Sequence, residues 1–312
     1  MNKNIKVDQI GFTFFIAYNI ISMKGSDTMT VINCHEIREQ ILADVQEEVR
    51  ALPSQPTLTI ITIGDDDASA VYVRNKIKTA TSVGIGVKHV KLPGDISQEA
   101  AEREVVNEIV IGNADAIMLQ LPIPKHLDEK ILINLIPQCK DVDGLTDMNM
   151  GMLVNNHPYA IVPATAMGVY KIIAHTLETG DLSGTDITIV NRSQLIGKPL
   201  QALLTNHNAT VTVCHSRTDK LQNHTSRSHV VITGIGKAKY FDSYYFSDYQ
   251  LIIDCGMNRD DQGKLCGDVD VNEVQDVYNV GITPTPGGTG ILTTACLMLS
   301  VIQCYNMQNM QK

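Results

Sequence analysis

Short β-branched runs at residues 57–63, 86–90 and 116–120 alternate with stretches whose apolar residues recur at helical spacing. Parallel strands need a crossover of a dozen or more residues, usually a helix, so strand, helix, strand, helix, strand predicts a parallel α/β unit. The pattern opens with a helix over residues 35–52, where Ile37, Ile41, Val45 and Val49 are four apart and Pro53 stops the helix. Asp65, Asp66 and Asp67 offer cap acceptors for a second helix ending near Val83, closed by Gly84. A third covers 97–111. A loop-rich segment follows over 137–163, then a helix over 166–180. A second alternating unit has strands at 187–190, 210–213, 230–233 and 251–254 and a short helix at 198–205. Its strands describe a nucleotide-binding sheet. The tail from Thr293 is apolar at helical spacing.

A chain of 312 residues suits two domains, and 44% hydrophobic residues can offset the entropy of ordering them. The net charge of −9 disfavours nucleic acid. Arg74, Lys76 and Lys78 form the one basic cluster and read equally well as a solvated helix face. Seven cysteines, odd in number and irregular in spacing, give no metal-ligand pattern, so no metal is expected and reduced thiols of a cytoplasmic protein are. Cys214 and His215 are adjacent on a strand and point to opposite faces, which argues against a catalytic pair. Residues 1–29 form a separate leader. Its apolar stretch from Ile10 to Ile21 is too short to span a membrane, and Met23-Lys24-Gly25-Ser26 is a poor cleavage site. The expectation is translation from Met23 or Met29, or a flexible extension, with no membrane association.

Tyr72 and Lys76 lie four apart and share a helix face. A ring beside an amine suits a planar substrate, and a lysine whose pKa burial lowers can handle protons near neutrality. Gln120 ends the third strand, where parallel sheets gather ligands, and can orient the amine. Lys140-Asp141-Val142-Asp143-Gly144 sets two carboxylates one residue apart. One can cap backbone amides while the other offers two acceptor oxygens to a heterocycle. Asn191-Arg192-Ser193-Gln194-Leu195-Ile196-Gly197-Lys198-Pro199 joins a strand to a helix without a G-x-G-x-x-G motif, and the helix N-terminal amides there can hold a phosphate. One strand later, His215, Ser216 and Arg217 stand where an acid would bind ribose hydroxyls, so a ribose phosphate fits better. Gly234-Ile235-Gly236 permits close approach of a cofactor, or is only a tight turn. Thr283-Pro284-Thr285-Pro286-Gly287-Gly288 builds a bend that can return the last helix to the first domain.

Taken in order, these motifs resemble the bifunctional methylenetetrahydrofolate dehydrogenase/methenyltetrahydrofolate cyclohydrolase family from residue 30 onward. Tyr72-Val73-Arg74-Asn75-Lys76, Gln120-Leu121-Pro122, Lys140 to Leu145, Arg192-Ser193 to Gly197-Lys198-Pro199 and Pro284 to Gly288 carry the likeness. The resemblance implies an α/β fold of two domains. A folate-binding domain would comprise 30–165 plus 287–312, with the C-terminal helix returning to it. A Rossmann-like NADP-binding domain would cover 166–286. It implies a cytoplasmic homodimer acting on tetrahydrofolate derivatives in one-carbon metabolism and purine biosynthesis. By analogy Lys76 carries the hydrolytic step, tuned by Gln120. Tyr72 stacks on the folate, Asp143 holds the pterin edge, and Pro286, Gly287 and Gly288 join the substrate site. Arg192 and Ser216 hold the 2′-phosphate, with Asn191, Ser193, Ile196, Gly197, Pro199, His215, Arg217, Gly234 and Gly236 completing the cofactor site.

The sequence departs from the family at Ala166, where proline is usual, and at Thr289, Ile291 and Leu292, which replace the family's valine, proline and methionine. Asn191 stands where glycine is frequent. Losing a proline raises the ordering cost of a loop by up to about 1 kcal/mol. A family member with one activity, a non-catalytic homologue that binds folate or nucleotide, and an NADP dehydrogenase of a small alcohol are the alternatives.

Overall fold

The computed structural model describes residues 29–65 and 67–309, so the leader expectation lies outside the described residues. The described chain divides into two compact units, residues 38–164 with 292–309, and residues 165–291 with 29–37.

The chain enters through a short strand, β1 (Thr30–Val31), and helix α1 (Cys34–Ala51). The first unit then alternates β2 (Thr57–Ile63), α2 (Asp67–Ser82), β3 (Gly86–Leu92), α3 (Gln98–Val110) and β4 (Ala116–Leu119). The strands form a parallel sheet in the order β3-β2-β4, with Ile61 opposite Val90 on one side and Leu119 on the other. β2, whose four aliphatic residues alternate with Thr57, Thr59 and Thr62 only in part, is largely buried because both of its faces are covered. Ile61, Ile63, Ile117 and Leu119 pack with Ala101 and Val105 of α3. Parity therefore turns Thr62, Met118 and Gln120 toward the opposite face. The Ser97 hydroxyl caps α3 by accepting from Ala100 N–H at 3.3 Å. A short helix, α4 (Glu129–Asn134), precedes the segment expected to be loop-rich, which itself holds a 3-10 turn at Gln138–Lys140 and one short helix, α5 (Asp147–Val154).

Helix α6 (Ala164–Thr176) leads into β5 (Asp186–Val190), α7 (Gly197–Asn206), β6 (Thr210–Cys214), α8 (Gln222–Thr225), β7 (Val230–Thr233) and β8 (Leu251–Asp254). An antiparallel hairpin, β9 (Asn258–Arg259) with β10 (Leu265–Cys266), precedes α9 (Val271–Val274) and β11 (Gly281–Ile282). The sheet has six strands, in the order β1-β11-β8-β7-β5-β6, all parallel. Thr30 and Val31 pair with β11, so the entry strand belongs to the six-stranded sheet, and the two compact units change over after residue 37, within α1, and again after residue 291.

The last helix, α10 (Thr289–Asn309), is long and apolar enough by length and composition to cross a membrane. Its apolar residues, among them Ala295, Met298, Val301 and Cys304, are buried within the protein. Polar tips fasten it to the first unit. The Tyr305 hydroxyl lies 2.7 Å from Ser54 Oγ, and Gln308 donates to the carbonyls of Asp115 at 2.7 Å and Cys139 at 3.2 Å. The expected return of the C-terminal helix is therefore present.

Candidate active site and cofactor loops

Lys76 sits in the third turn of α2, whose Val73 anchors the helix to the sheet. Its ammonium donates to Gln120 Oε1 at 2.9 Å and lies 3.9 Å from Met118 Sδ. The Gln120 amide in turn donates to the Leu121 carbonyl at 2.6 Å, which fixes its oxygen toward the lysine. Burial lowers the Lys76 pKa, and the nearby Asp143 carboxylate partly restores it. Burial pushes the Asp143 carboxyl up to about 6, with Lys76 opposing the rise and Asp141 adding to it. Tyr72 is half-exposed on the helix face it shares with Lys76. The four residues gather at one end of one sheet, as their spacing suggests.

The two carboxylates of the Asp141-Val142-Asp143 turn divide the work. Asp141 is buried and accepts from Thr146 N–H at 2.9 Å and from Asn149 Nδ2 at 2.8 Å. Asn149, wholly buried, also donates to the Gln138 carbonyl at 3.2 Å and accepts from Gln138 Nε2 at 3.1 Å and Ile161 N–H at 3.2 Å. Val142 N–H donates to the Ile117 carbonyl at 3.4 Å, tying the turn to β4. Gly144 has φ +67°, and a Cβ there would run into the Ile161 carbonyl, so glycine is required. The pinned backbone leaves the Asp143 side chain to face Lys76. Asn149 was not singled out in the sequence; its signal is its place three residues after the capping Thr146.

A cavity of about 120 Å³ adjoins this group under the first turns of α2. Thr62, Ser69, Val73, His89 and Gln120 line it.

Pro286, Gly287 and Gly288 lie in the second unit, with the cofactor loops. The usual-proline positions are not loops. Ala166 and Ile291 fall in the first turns of α6 and α10. Ile291 N–H donates to the Gly288 carbonyl at 3.3 Å, a bond proline lacks. The expected loosening of two loops is thus corrected: helix-forming residues replace proline where either begins a helix.

In the second unit Val190 of β5 pairs with Cys214 of β6 and Thr233 of β7. Arg192 and Ser216 therefore stand two residues beyond paired positions on neighbouring strands, which run about 4.8 Å apart. Ser216, Arg192 and Arg217 are exposed, and among the described residues neither arginine pairs with a carboxylate. His215 Nδ1 accepts from Arg217 N–H at 3.1 Å, and His215 N–H donates to Thr218 Oγ1 at 2.9 Å, which shapes this turn.

The loop before α7 is knitted by its own side chains. Asn191 Oδ1 accepts from Ser193 N–H at 2.7 Å and Gly197 N–H at 3.0 Å, while its Nδ2 donates to the Gly234 carbonyl. Ser193 Oγ accepts from Ile196 N–H at 3.1 Å. Gly197 packs on the Asn191 carbonyl so closely that a Cβ would collide with it, and Ile196 and the buried Pro199 flank that contact. This corrects the expectation for the helix amides: those of Ile196 and Gly197 are already taken by Ser193 and Asn191. Two arginines, a hydroxyl and no acid at the β6 end fit a dinucleotide bearing a ribose phosphate. Gly236, at φ +70° and with nothing within 4 Å of a would-be Cβ, leaves open space beside them.

Comparison with known proteins gives the same picture over nearly the whole described chain. The profile for the tetrahydrofolate dehydrogenase/cyclohydrolase catalytic domain matches residues 32–143, and that for the family's NAD(P)-binding domain matches residues 163–309. The bifunctional protein FolD of Ligilactobacillus salivarius is 37% identical over 278 residues, covering 88% of this chain and 96% of the relative. FolD of Streptococcus pneumoniae serotype 4 is 39% identical over 266 residues, with 84% and 89% covered. The crystal structure of the bifunctional enzyme FolD from Campylobacter jejuni superposes with a TM-score of 0.84 at 31% identity, covering 89% of this chain and 99% of that one. The Trypanosoma brucei methylenetetrahydrofolate dehydrogenase-cyclohydrolase, complexed with NADP cofactor and inhibitor, gives 0.82 at 29% identity, with 91% and 99% covered. With the Lys76–Gln120–Asp143 group and the arginine-lined strand ends in place, the chain belongs to the tetrahydrofolate dehydrogenase/cyclohydrolase family.

Proposed function

We infer that this chain oxidises 5,10-methylenetetrahydrofolate to the 5,10-methenyl form with NADP and hydrolyses that product to 10-formyltetrahydrofolate. The observation that carries the reading is the buried Lys76 ammonium held on Gln120 beside Asp143.

The one-carbon bridge lies between two nitrogens, whose lone pairs stabilise the cation left when hydride departs. Positioning, not a strong base, is what that step needs. NADP, when bound, accepts the hydride. In the second step water adds to the bridge carbon and gives up a proton. One ring nitrogen takes a proton as its bond to that carbon breaks, and the formyl group stays on the other. Lys76, with its pKa lowered by burial, assists these transfers, and Gln120 orients its amine. Asp143 accepts from the N–H groups of the pterin edge, Tyr72 stacks on the folate, and Pro286, Gly287 and Gly288 complete the substrate site. Arg192 and Ser216 hold the 2′-phosphate, with Asn191, Ser193, Ile196, Gly197, Pro199, His215, Arg217, Gly234 and Gly236 framing the dinucleotide.

The product is a formyl donor of the kind purine biosynthesis consumes. A homodimer in the cytoplasm, binding neither nucleic acid nor membrane, completes the proposal. Seven cysteines, five of them buried, agree with a reducing compartment. Paired assays of NADP reduction and methenyl hydrolysis on protein starting at Met29, repeated with NAD, test the reading. Both activities are expected, with NADP preferred; loss of either from well-folded protein contradicts it.

A further inference from the structure

Two carboxylates of the second unit are buried and held by neutral donors. Asp254, at the end of β8, accepts from the N–H groups of Gly256 at 2.8 Å, Asp268 at 3.1 Å and Val269 at 2.9 Å, and from the Thr233 hydroxyl at 3.3 Å. Asp268 has no exposed surface. It accepts from three consecutive backbone N–H groups, those of Ile235, of Gly236 at 3.3 Å and of Lys237 at 3.0 Å, and from Asn258 Nδ2 at 2.8 Å. Among the described residues neither carboxylate makes an ion pair. A buried charge with no counter-ion is costly, and converging N–H dipoles are what offset it.

Successive amides aimed at one point form a concavity that commonly binds phosphate. In this chain that concavity is filled from within, by Asp268. The Gly234 carbonyl accepts from Asn191 Nδ2. The amides of residues 235–237 are thus spent on Asp268, while nothing comes within 4 Å of a would-be Cβ at Gly236, which leaves open space beside the loop. Asp254 acts in series, because it grips the backbone N–H of Asp268 itself.

We propose that Asp268 is a positioning residue for dinucleotide binding: its carboxylate plugs the amide concavity of residues 235–237, keeps cofactor phosphate out of it, and sets the loop against which the cofactor lies. The proposal rests on the assignment of Gly234 and Gly236 to the cofactor site. It separates the two activities, since methenyl hydrolysis transfers no hydride.

The full-length chain carrying Asp268→Asn tests it. Asparagine keeps the shape but turns an amide N–H₂ or a weaker acceptor toward donors that need an anion. The KM for NADP is expected to rise about tenfold or more, as for a loop displaced by a fraction of an ångström to one ångström. The folate KM and the cyclohydrolase rate stay at wild-type values. Asp268→Gly, assayed with and without acetate, gives a second readout. Acetate occupying the vacated concavity is expected to lower the raised KM, and chloride at equal ionic strength is not. A wild-type KM for NADP in Asp268→Asn overturns the proposal. So does a parallel loss of both activities without acetate rescue, which marks general structural support. Gly236→Ala with an unchanged KM for NADP overturns the assignment of the loop to the cofactor, a failure distinct from that of Asp268.

Discussion

The Lys76 ammonium donates to Gln120 Oε1 at 2.9 Å, and that oxygen is aimed by the bond from its own amide to the Leu121 carbonyl at 2.6 Å. An acceptor held this way favours the protonated amine and offsets part of the desolvation that lowers the lysine pKa. Gln120→Met keeps the bulk and removes the acceptor. The limb of the cyclohydrolase pH profile that belongs to Lys76 is expected to move to lower pH, with a rate loss of about tenfold to a hundredfold. A profile that does not move counts against Gln120 as the residue tuning the lysine.

Asp143 gives a second pH signature. Its carboxyl is raised to about 6, so it is ionised above that value and protonated below it. In the proposed mode of pterin recognition the ionised form is the acceptor. The folate KM is therefore expected to rise as pH falls through about 6, approaching tenfold per unit below it. In Asp143→Asn the KM is high throughout and this pH dependence is gone. A wild-type folate KM that is flat between pH 5 and 7 contradicts the assignment.

Asn149 links the catalytic turn to stability. Asn149→Leu strips Asp141 of a partner and leaves the Ile161 N–H without its acceptor in a buried place. The expected cost is about 2–4 kcal/mol in urea unfolding. A raised folate KM should accompany it, because Asp143 shares the turn. A loss under about 0.5 kcal/mol, the level of an ordinary surface change, contradicts the role of the network.

Cofactor choice is expected to follow Arg192. A charge-assisted bond to the 2′-phosphate contributes roughly 1.5–3 kcal/mol, so Arg192→Ala should raise the KM for NADP by about tenfold to a hundredfold. The KM for NAD, which lacks that phosphate, should barely change. Equal effects on both cofactors would place Arg192 elsewhere on the dinucleotide.

The larger features were legible because each carries its own local signal. β2, β7 and β8 are short, largely β-branched or aliphatic runs buried on both faces, and all three coincide with the spans read from the sequence. β1 and β11, with two residues each, are too short to show a period, and long-range pairing alone defines them. That is why the place of Thr30 and Val31 in the six-stranded sheet is not legible in the sequence. Spacing put Tyr72 and Lys76 on one face of α2 and Gln120 at the end of β4, and the family resemblance made a site of them. Asp141 takes the capping role that turn geometry allows, and Asp143 lies beside Lys76. The roles of Asn191, Asn149 and Asp268 were not readable. Each depends on backbone amides brought close by folding, as with Asp268 and the N–H groups more than thirty residues before it. The amides of Ile196 and Gly197 looked available for phosphate for the same reason.

The most direct test is the pair of rates in Lys76→Met. Removal of the amine should lower methenyl hydrolysis by at least about a hundredfold, the scale of general acid–base catalysis. NADP reduction should survive far better, because loss of hydride from the bridge carbon needs no base. Ring opening at the wild-type rate in this variant would contradict the account.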